Sequence, residues 1–166
     1  MRVHNIHHRE LPVPPTILGA LLDSLSRPDD GLWPIAAWPA MRFDRPLQVG
    51  AIGGHGPIRY TVESYVPAQA ISFRFTAPIG FHGTHSFLVG LAPSGSRISH
   101  DLRMTTTGMA TLSWLLIFRP LHDALLEDAL HRAVLACGAQ EPPPQWSVWV
   151  RILRALLRSR NPRRAT

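Results

Sequence analysis

The stretch IRYTVESYVPAQAISFRFT, residues 58–76, decides the fold. Ile58, Tyr60 and Val62 alternate with Arg59, Thr61 and Glu63. After Pro67-Ala68, Ile71, Phe73 and Phe75 alternate with Ser72, Arg74 and Thr76. Successive side chains on a strand point to opposite faces, so this period of two predicts two strands with one face buried and one wet.

The same period continues downstream. His85, Phe87 and Val89 alternate with Thr84 and Ser86, and Ile98, His100, Leu102 and Met104 alternate with Arg97, Ser99, Asp101 and Arg103. The turns fall at Pro67-Ala68, Pro78–Gly80 and Pro93–Gly95. Strands at this spacing make an antiparallel meander. Upstream, Arg42–Val49 is a candidate strand interrupted by Pro46, and glycine-rich Gly50–Pro57 reads as a turn or bulged edge. Val3–Leu11 is a first strand of weak alternation. Pro14-Pro15 opens a helical stretch in which Ile17, Leu18, Leu21, Leu22 and Leu25 recur at helix spacing. Asp29–Pro39, with Trp33 and Trp38, is a loop or a single helical turn.

Met109–Ala136 reads as a long helix with an apolar stripe of Leu112, Leu115, Leu116, Phe118, Leu121, Leu125 and Ala129. Pro120 has no N–H to give and is expected to bend or break it near Phe118. Gly138 suits its end. Glu141–Pro144 is a stiff linker, and Trp146–Arg160 is a second helical pattern. Its apolar side holds Trp146, Trp149, Val150, Leu153, Leu156 and Leu157, and Arg151, Arg154 and Arg158 are expected opposite.

Composition narrows the functional classes. The 166 residues are 45% hydrophobic and 17% charged, enough for one packed domain plus a tail. A single cysteine, Cys137, rules out a disulfide framework and a Cys-based zinc site. All seventeen basic residues are arginine, which excludes a Schiff-base lysine and a P-loop and reads as the coding bias of a GC-rich bacterial genome. The net charge of +6 belongs to the tail: residues 1–145 balance, while residues 146–166 carry six arginines and no acid. A nucleic-acid face needs basic and aromatic residues spread over a folded surface, so nucleic acid is disfavoured as a partner. Leu112–Phe118 is too short to span a bilayer and Met1–Glu10 has no signal-peptide character, so the expected location is cytoplasmic.

An opening strand, short helices, antiparallel strands and one closing helix follow in order. With Tyr60–Pro67 leading into Ile71–Phe75, then Phe81–Val89 and the helix from Gly108, the chain resembles the START-like superfamily called SRPBCC, which includes polyketide cyclase/dehydrase and pollen-allergen groups. The resemblance covers roughly residues 3–137. It implies an α+β helix-grip fold, with six or seven antiparallel strands wrapped round a long C-terminal helix and an apolar cavity between. Residues 1–140 are then the ligand-binding domain, and residues 141–166 a Pro-rich linker with an extra basic helix that departs from the superfamily pattern. The superfamily shares no catalytic motif, so it assigns no catalytic residue.

If a gap is left between sheet and helix, bulky residues of the inward parity line a pocket. Tyr60, Phe73, Phe75, His85, Phe87, His100, Leu102 and Met104 are expected to face the helix, with Trp114, Phe118 and Leu121 facing back. Trp33 and Trp38 complete the expected ligand-binding set, and His55 and Arg59 are candidate rim groups. The alternative for each is plain core. A strand-buried imidazole needs a hydrogen-bond partner or a water. His85 and His100, on neighbouring strands, are within reach of each other if those strands pair in register. Such a pair can position a ligand carbonyl, or act as acid and base near neutral pH with Tyr60 as a third candidate catalytic residue.

Metal ligation is disfavoured from spacing. In His4-x-x-His7 and His82-x-x-His85 the two residues point to opposite faces of a strand; His82 and His85 could chelate only if Gly80–Gly83 is irregular, and no Asp, Glu or Cys lies within a few residues of them. His122 and Asp123 diverge by about 100° on a helix, and Asp123, Glu127, Asp128, His131 and Arg132 read as a solvated face. Arg42, Arg59, Arg74 and Arg103 fall on the wet parity, and Arg119 either caps carbonyls or reaches the cavity mouth. No nucleophile elbow is present and Gly50–Gly56 lacks a following helix, so neither acyl-transfer nor phosphate-loop chemistry is indicated.

Three functions remain. The first is binding of a hydrophobic or aromatic small molecule, with no cofactor. The second is a cyclase- or dehydratase-like enzyme using His85, His100 and Tyr60. The third is an interaction protein whose Trp146–Arg160 helix meets an anionic membrane surface or a partner; the competing reading for that helix is that Trp146, Val150, Leu153 and Leu157 dock on the domain or on a second copy of the chain.

Overall fold

The computed structural model describes residues 1–159. The chain runs β1 (Arg2–Leu11), α1 (Pro15–Asp23), β2 (Arg42–Phe43), β3 (Ile52–His55), β4 (Ile58–Val66), β5 (Ala70–Ala77), β6 (Phe81–Ala92) and β7 (Gly95–Thr106). Then follow α2 (Met109–Ser113), a π-helical turn (Trp114–Phe118), α3 (Arg119–Ala136) and α4 (Val148–Ser159). All seven strands form one antiparallel sheet in the order β1-β7-β6-β5-β4-β3-β2. The meander is thus consecutive from β2 to β7, and β1 closes the far edge against β7. This is the α+β helix-grip arrangement that the resemblance implies.

Strand parity places the core. Tyr60, Val62, Ile71, Phe73, His85, Phe87, Ile98, His100, Leu102 and Met104 are all buried on the concave face. Arg59, Arg74, Arg97 and Arg103 lie exposed on the convex face. There Arg74 pairs with Glu63, and Arg97 with Glu10. α1 packs so close to the β4–β5 turn that Gly19 is the residue that fits: a Cβ there would lie 2.5 Å from the Ala68 carbonyl oxygen. Asp23, at the end of α1, fixes the same turn by accepting the Ala68 N–H and the Tyr65 hydroxyl.

Several expectations change. The candidate strand Arg42–Val49 shrinks to Arg42–Phe43, and the Gly50–Pro57 turn contains a short strand, β3, before it turns at Gly56-Pro57. β1 alternates weakly in sequence because its inward residues include Asn5, His7 and Arg9, which meet the acids of α3. Asp123, Glu127 and Asp128 are therefore not a solvated face: Asp123 and Glu127 bind β1, and Asp128 accepts both the Trp38 and Trp146 indole N–H groups. Leu112, Leu115 and Leu116 face outward, and the inward stripe is Trp114, Leu121, Leu125, Leu126, Ala129 and Leu130. The helix continues through Pro120 by way of the π-helical turn.

The tail helix docks on the domain, one of its two readings, but differs in its start and in the place of Arg154. α4 starts at Val148 and packs on the domain through buried Val150, Leu153 and Arg154. Arg154 is not on the solvent side. Its guanidinium lies 4.2 Å from the Trp38 ring centre and 3.9 Å from that of Trp146, and it donates to the Ala37 carbonyl. Arg151 is exposed, as expected. The side chain of Arg158 and residues 160–166 lie outside the described residues. No described helix is long and apolar enough to cross a membrane.

Candidate functional site

A cavity of about 170 Å³ lies between the sheet and the α2–α3 region. Sheet residues Ile58, Phe75, Phe81, His85, His100 and Leu102 form one wall. Trp114, Ile117, Phe118, Leu121, His122, Leu125 and Leu126 form the other. Trp33, Trp38, Pro39, His55, Gly56 and Pro57 close one side, and Leu157 of α4 reaches in. Exposed Pro39, Gly56, Pro57, Ile117 and Leu157 mark the mouth.

The Trp-Pro loop is held over the cavity by one buried carboxylate. Asp30 accepts the backbone N–H groups of Ser26, Leu32 and Trp33, and Arg132 of α3 donates to the Asp30 and Gly31 carbonyls. The Trp33 indole then donates to the Pro39 carbonyl and its ring sits 4.8 Å from that of His55. Trp38 is tied to Asp128 at 2.6 Å. Burying these rings places their N–H groups on partners, as buried indoles require.

Among the residues expected to line a pocket, Trp33, Trp38, Phe75, His85, His100, Leu102, Trp114, Phe118 and Leu121 come together at the cavity. Tyr60, Phe73, Phe87 and Met104 face the same way but stand behind its wall. Phe73 stacks on His85, Phe87 packs edge-on against His100, and Met104 joins Phe81 and Trp114 in a separate core cluster. Tyr60 shares a 3.1 Å hydrogen bond with His55 Nδ1 and lays its ring against His85. Arg59 turns outward to the Gly56 and Ile58 carbonyls, and Arg119 pairs with Asp123 at 3.8 Å. The reading from sequence missed Phe81, Leu125, Leu126 and His122. Leu125 was visible as part of the helical stripe; His122 gave no local signal.

The two strand histidines meet diagonally. β6 and β7 pair His85 with Leu102 and Phe87 with His100, one step of the pleat apart. His85 Nδ1 lies 3.1 Å from His100 Nε2. His85 Nε2 and His100 Nδ1 are buried and have no partner among the described residues. Burial pushes both pKa values well below the usual histidine range, and the neighbouring histidines push the same way. Each ring is therefore neutral, with one N–H. Whichever ring donates across the shared bond, its far nitrogen is a lone pair and the partner's far nitrogen is an N–H. The pair thus offers one free acceptor and one free donor.

The surrounding electrostatics keep the cavity uncharged. Burial, then the neighbouring His122 and Arg59, hold His55 down at about 3. His122 is lowered by burial in spite of Asp123 beside it. Burial raises Tyr60 well above the ordinary phenol value. Behind this wall, burial opposes charge on His7, but hydrogen bonds to Asp123 and Glu127 outweigh it and raise its pKa.

No family model and no curated protein matches the sequence. Solved structures do match in shape. A Thermobifida fusca protein is similar over 86% of this chain and 99% of its own, at 10% identity and a TM-score of 0.61. A Thalictrum norcoclaurine synthase, solved as a point mutant with a transition-state analogue, is similar over 84% of this chain and 99% of its own, at 13% identity and a TM-score of 0.58. CalU16 from Micromonospora echinospora is similar over 93% of this chain and 83% of its own, at 12% identity and a TM-score of 0.57. With the strand order and the clasped C-terminal helix, these likenesses show that the chain has a helix-grip fold.

Proposed function

We propose that the chain binds a compact hydrophobic or aromatic molecule, carrying one polar group, in the cavity between sheet and long helix. The observation that carries this reading is an apolar, tryptophan-rimmed space lined in part by His85 and His100, two buried imidazoles that each keep one nitrogen without a partner among the described residues. Such atoms are costly to leave dry, at about 1–3 kcal/mol each, and a ligand carbonyl or hydroxyl relieves that cost. The size suits a small ligand: an apolar cavity of about 150 Å³ takes up benzene. An apolar fluorescent probe is expected to bind one saturable site, and small phenols or aromatic ketones are expected to displace it. Leu102→Trp, which fills the space, is expected to abolish uptake while leaving the fold intact by circular dichroism. Unsaturable uptake by the wild type, or equal uptake by Leu102→Trp, refutes the reading.

The hydrogen bond between His85 and His100 supports a second reading, a cyclase- or dehydratase-like enzyme. A proton taken up at one free nitrogen, passage of the shared proton, and release at the other free nitrogen return both rings to neutrality. Tyr60 would position the array from behind through His55 and His85. Turnover is then lost in both His85→Gln and His100→Gln, and unchanged turnover in both removes the assignment.

A further inference from the structure

Beside the cavity, on the β1 side of α3, His7, His122 and Asp123 each offer a ligand atom, and the three atoms lie within 4.8 Å of one another. Asp123 Oδ1 is 3.2 Å from His7 Nε2 and 3.5 Å from His122 Nδ1. Ligands bonded at about 2.0–2.1 Å round a tetrahedral ion stand roughly 3.3–3.5 Å apart, so these two separations already suit a bound metal. We propose that His7, His122 and Asp123 form a binding site for a divalent first-row transition ion of the zinc type.

Three further observations point to the same spot. Both nitrogens of His122 are buried with no hydrogen-bond partner among the described residues, and an ion on one of them satisfies it. Asn5, whose amide donates to Asp123 Oδ1 at 3.0 Å, keeps its own Oδ1 buried and unpartnered. That adds a carbonyl oxygen beside the cluster. The support behind His7 is also complete. Its Nδ1 meets Glu127 Oε1 at 2.8 Å, and the other Glu127 oxygen accepts from Arg9 at 2.6 Å. An imidazole that ligates through one nitrogen while giving its other N–H to an anchored carboxylate is the usual outer shell of a metal site. Two imidazoles and one carboxylate favour zinc, iron, cobalt or nickel over magnesium or calcium. The elements that bring the ligands together are 116 residues apart in sequence, which is why ligand spacing within any one element does not show the site.

The test uses the full chain, stripped with chelator, and zinc alone as the probe. Calorimetry is expected to give one ion per chain. His122→Gln and Asp123→Asn are expected to remove that binding, and Glu127→Gln to weaken it about ten- to a hundredfold. His82→Ala, on the exposed convex face, is expected to bind as the wild type does. A measurement on the unmutated protein guards against misfolded variants. Stoichiometric cobalt is expected to shift the imidazole NMR signals of His7 and His122 more than those of the other histidines. Absence of one-to-one binding, equal binding by His122→Gln, or shifts centred on His4 or His8 overturns the proposal. None of these readouts involves the cavity ligand, so failure here leaves the small-molecule reading standing.

Discussion

Acid should loosen this protein well before its carboxylates titrate. His55 sits between the Trp33 ring and the Tyr60 hydroxyl, with Arg59 and His122 nearby. Its pKa falls from 6.5 in a free chain to about 3 in the fold. A depressed folded pKa means that the unfolded chain binds the proton first. The stabilisation is complete above pH 6.5 and drains as pH falls towards 3. Each pH unit in that window costs about 1.4 kcal/mol, so moving from pH 7.5 to 4.5 removes at most roughly 3 kcal/mol through His55 alone. That is a large share of the 5–15 kcal/mol typical of a domain. His85 and His100 act with the same sign. His7, whose pKa is raised, opposes them, and the lowered pKa values of Asp123 and Glu127 matter only below about pH 4.5. Urea unfolding in chelator at pH 7.5, 6.5, 5.5 and 4.5 measures this. The unfolding free energy should begin to fall near pH 6.5, and His55→Asn should flatten the fall. A level profile in the wild type, or a variant profile parallel to it, refutes the reasoning.

Gly19→Ala pushes a methyl group into the Ala68 backbone and should cost about 1–3 kcal/mol, read as a lower thermal midpoint. Asp128→Ala strands two indole N–H groups and should cost roughly 2–4 kcal/mol while exposing the linker before α4 to limited proteolysis. A cleavage pattern like that of the wild type would contradict the anchoring role. Burial, then the Asp23 carboxylate, pushes the Tyr65 hydroxyl up to about 12. A raised folded pKa gives stability that is complete below pH 10 and lost as pH climbs through 12. Tyr65→Phe should therefore shift the alkaline unfolding profile, and an unchanged profile would contradict it.

The sheet was legible because one face of each strand from Ile58 to Thr106 is buried and the other is wet, so composition alternates with the pleat. Parity identifies the inward face and says nothing about whether the space opposite is filled. Tyr60 and Phe75 share a parity and are register partners, yet Phe75 meets the cavity while Tyr60 lies behind it, against Phe43, Phe73 and His85. The acids of α3 misled for a different reason. Glu127, Asp128 and Arg132 look like a solvated face because their neighbours along the helix are charged, and their true partners, Arg9, His7, Trp38 and the Asp30 loop, arrive from far away in sequence. Arg154 likewise reads as solvent-facing until the fold brings Trp38 and Trp146 together beneath it.

Pro120 links the two helical segments that the sequence treats separately. In a regular α-helix the N–H of residue 120 would bond to the carbonyl of Leu116, and proline has none to offer. The chain answers with a π-helical turn over Trp114–Phe118, and the released Leu116 carbonyl accepts the Trp149 indole N–H at 2.7 Å. The residue expected to break the long helix thus creates an acceptor that α4 uses. With α4 seated there, Arg154 lies against the Trp38 and Trp146 rings and Leu157 reaches the cavity. A defect in one helix therefore helps set the wall and mouth of the cavity, and with them the access a ligand has to His85 and His100.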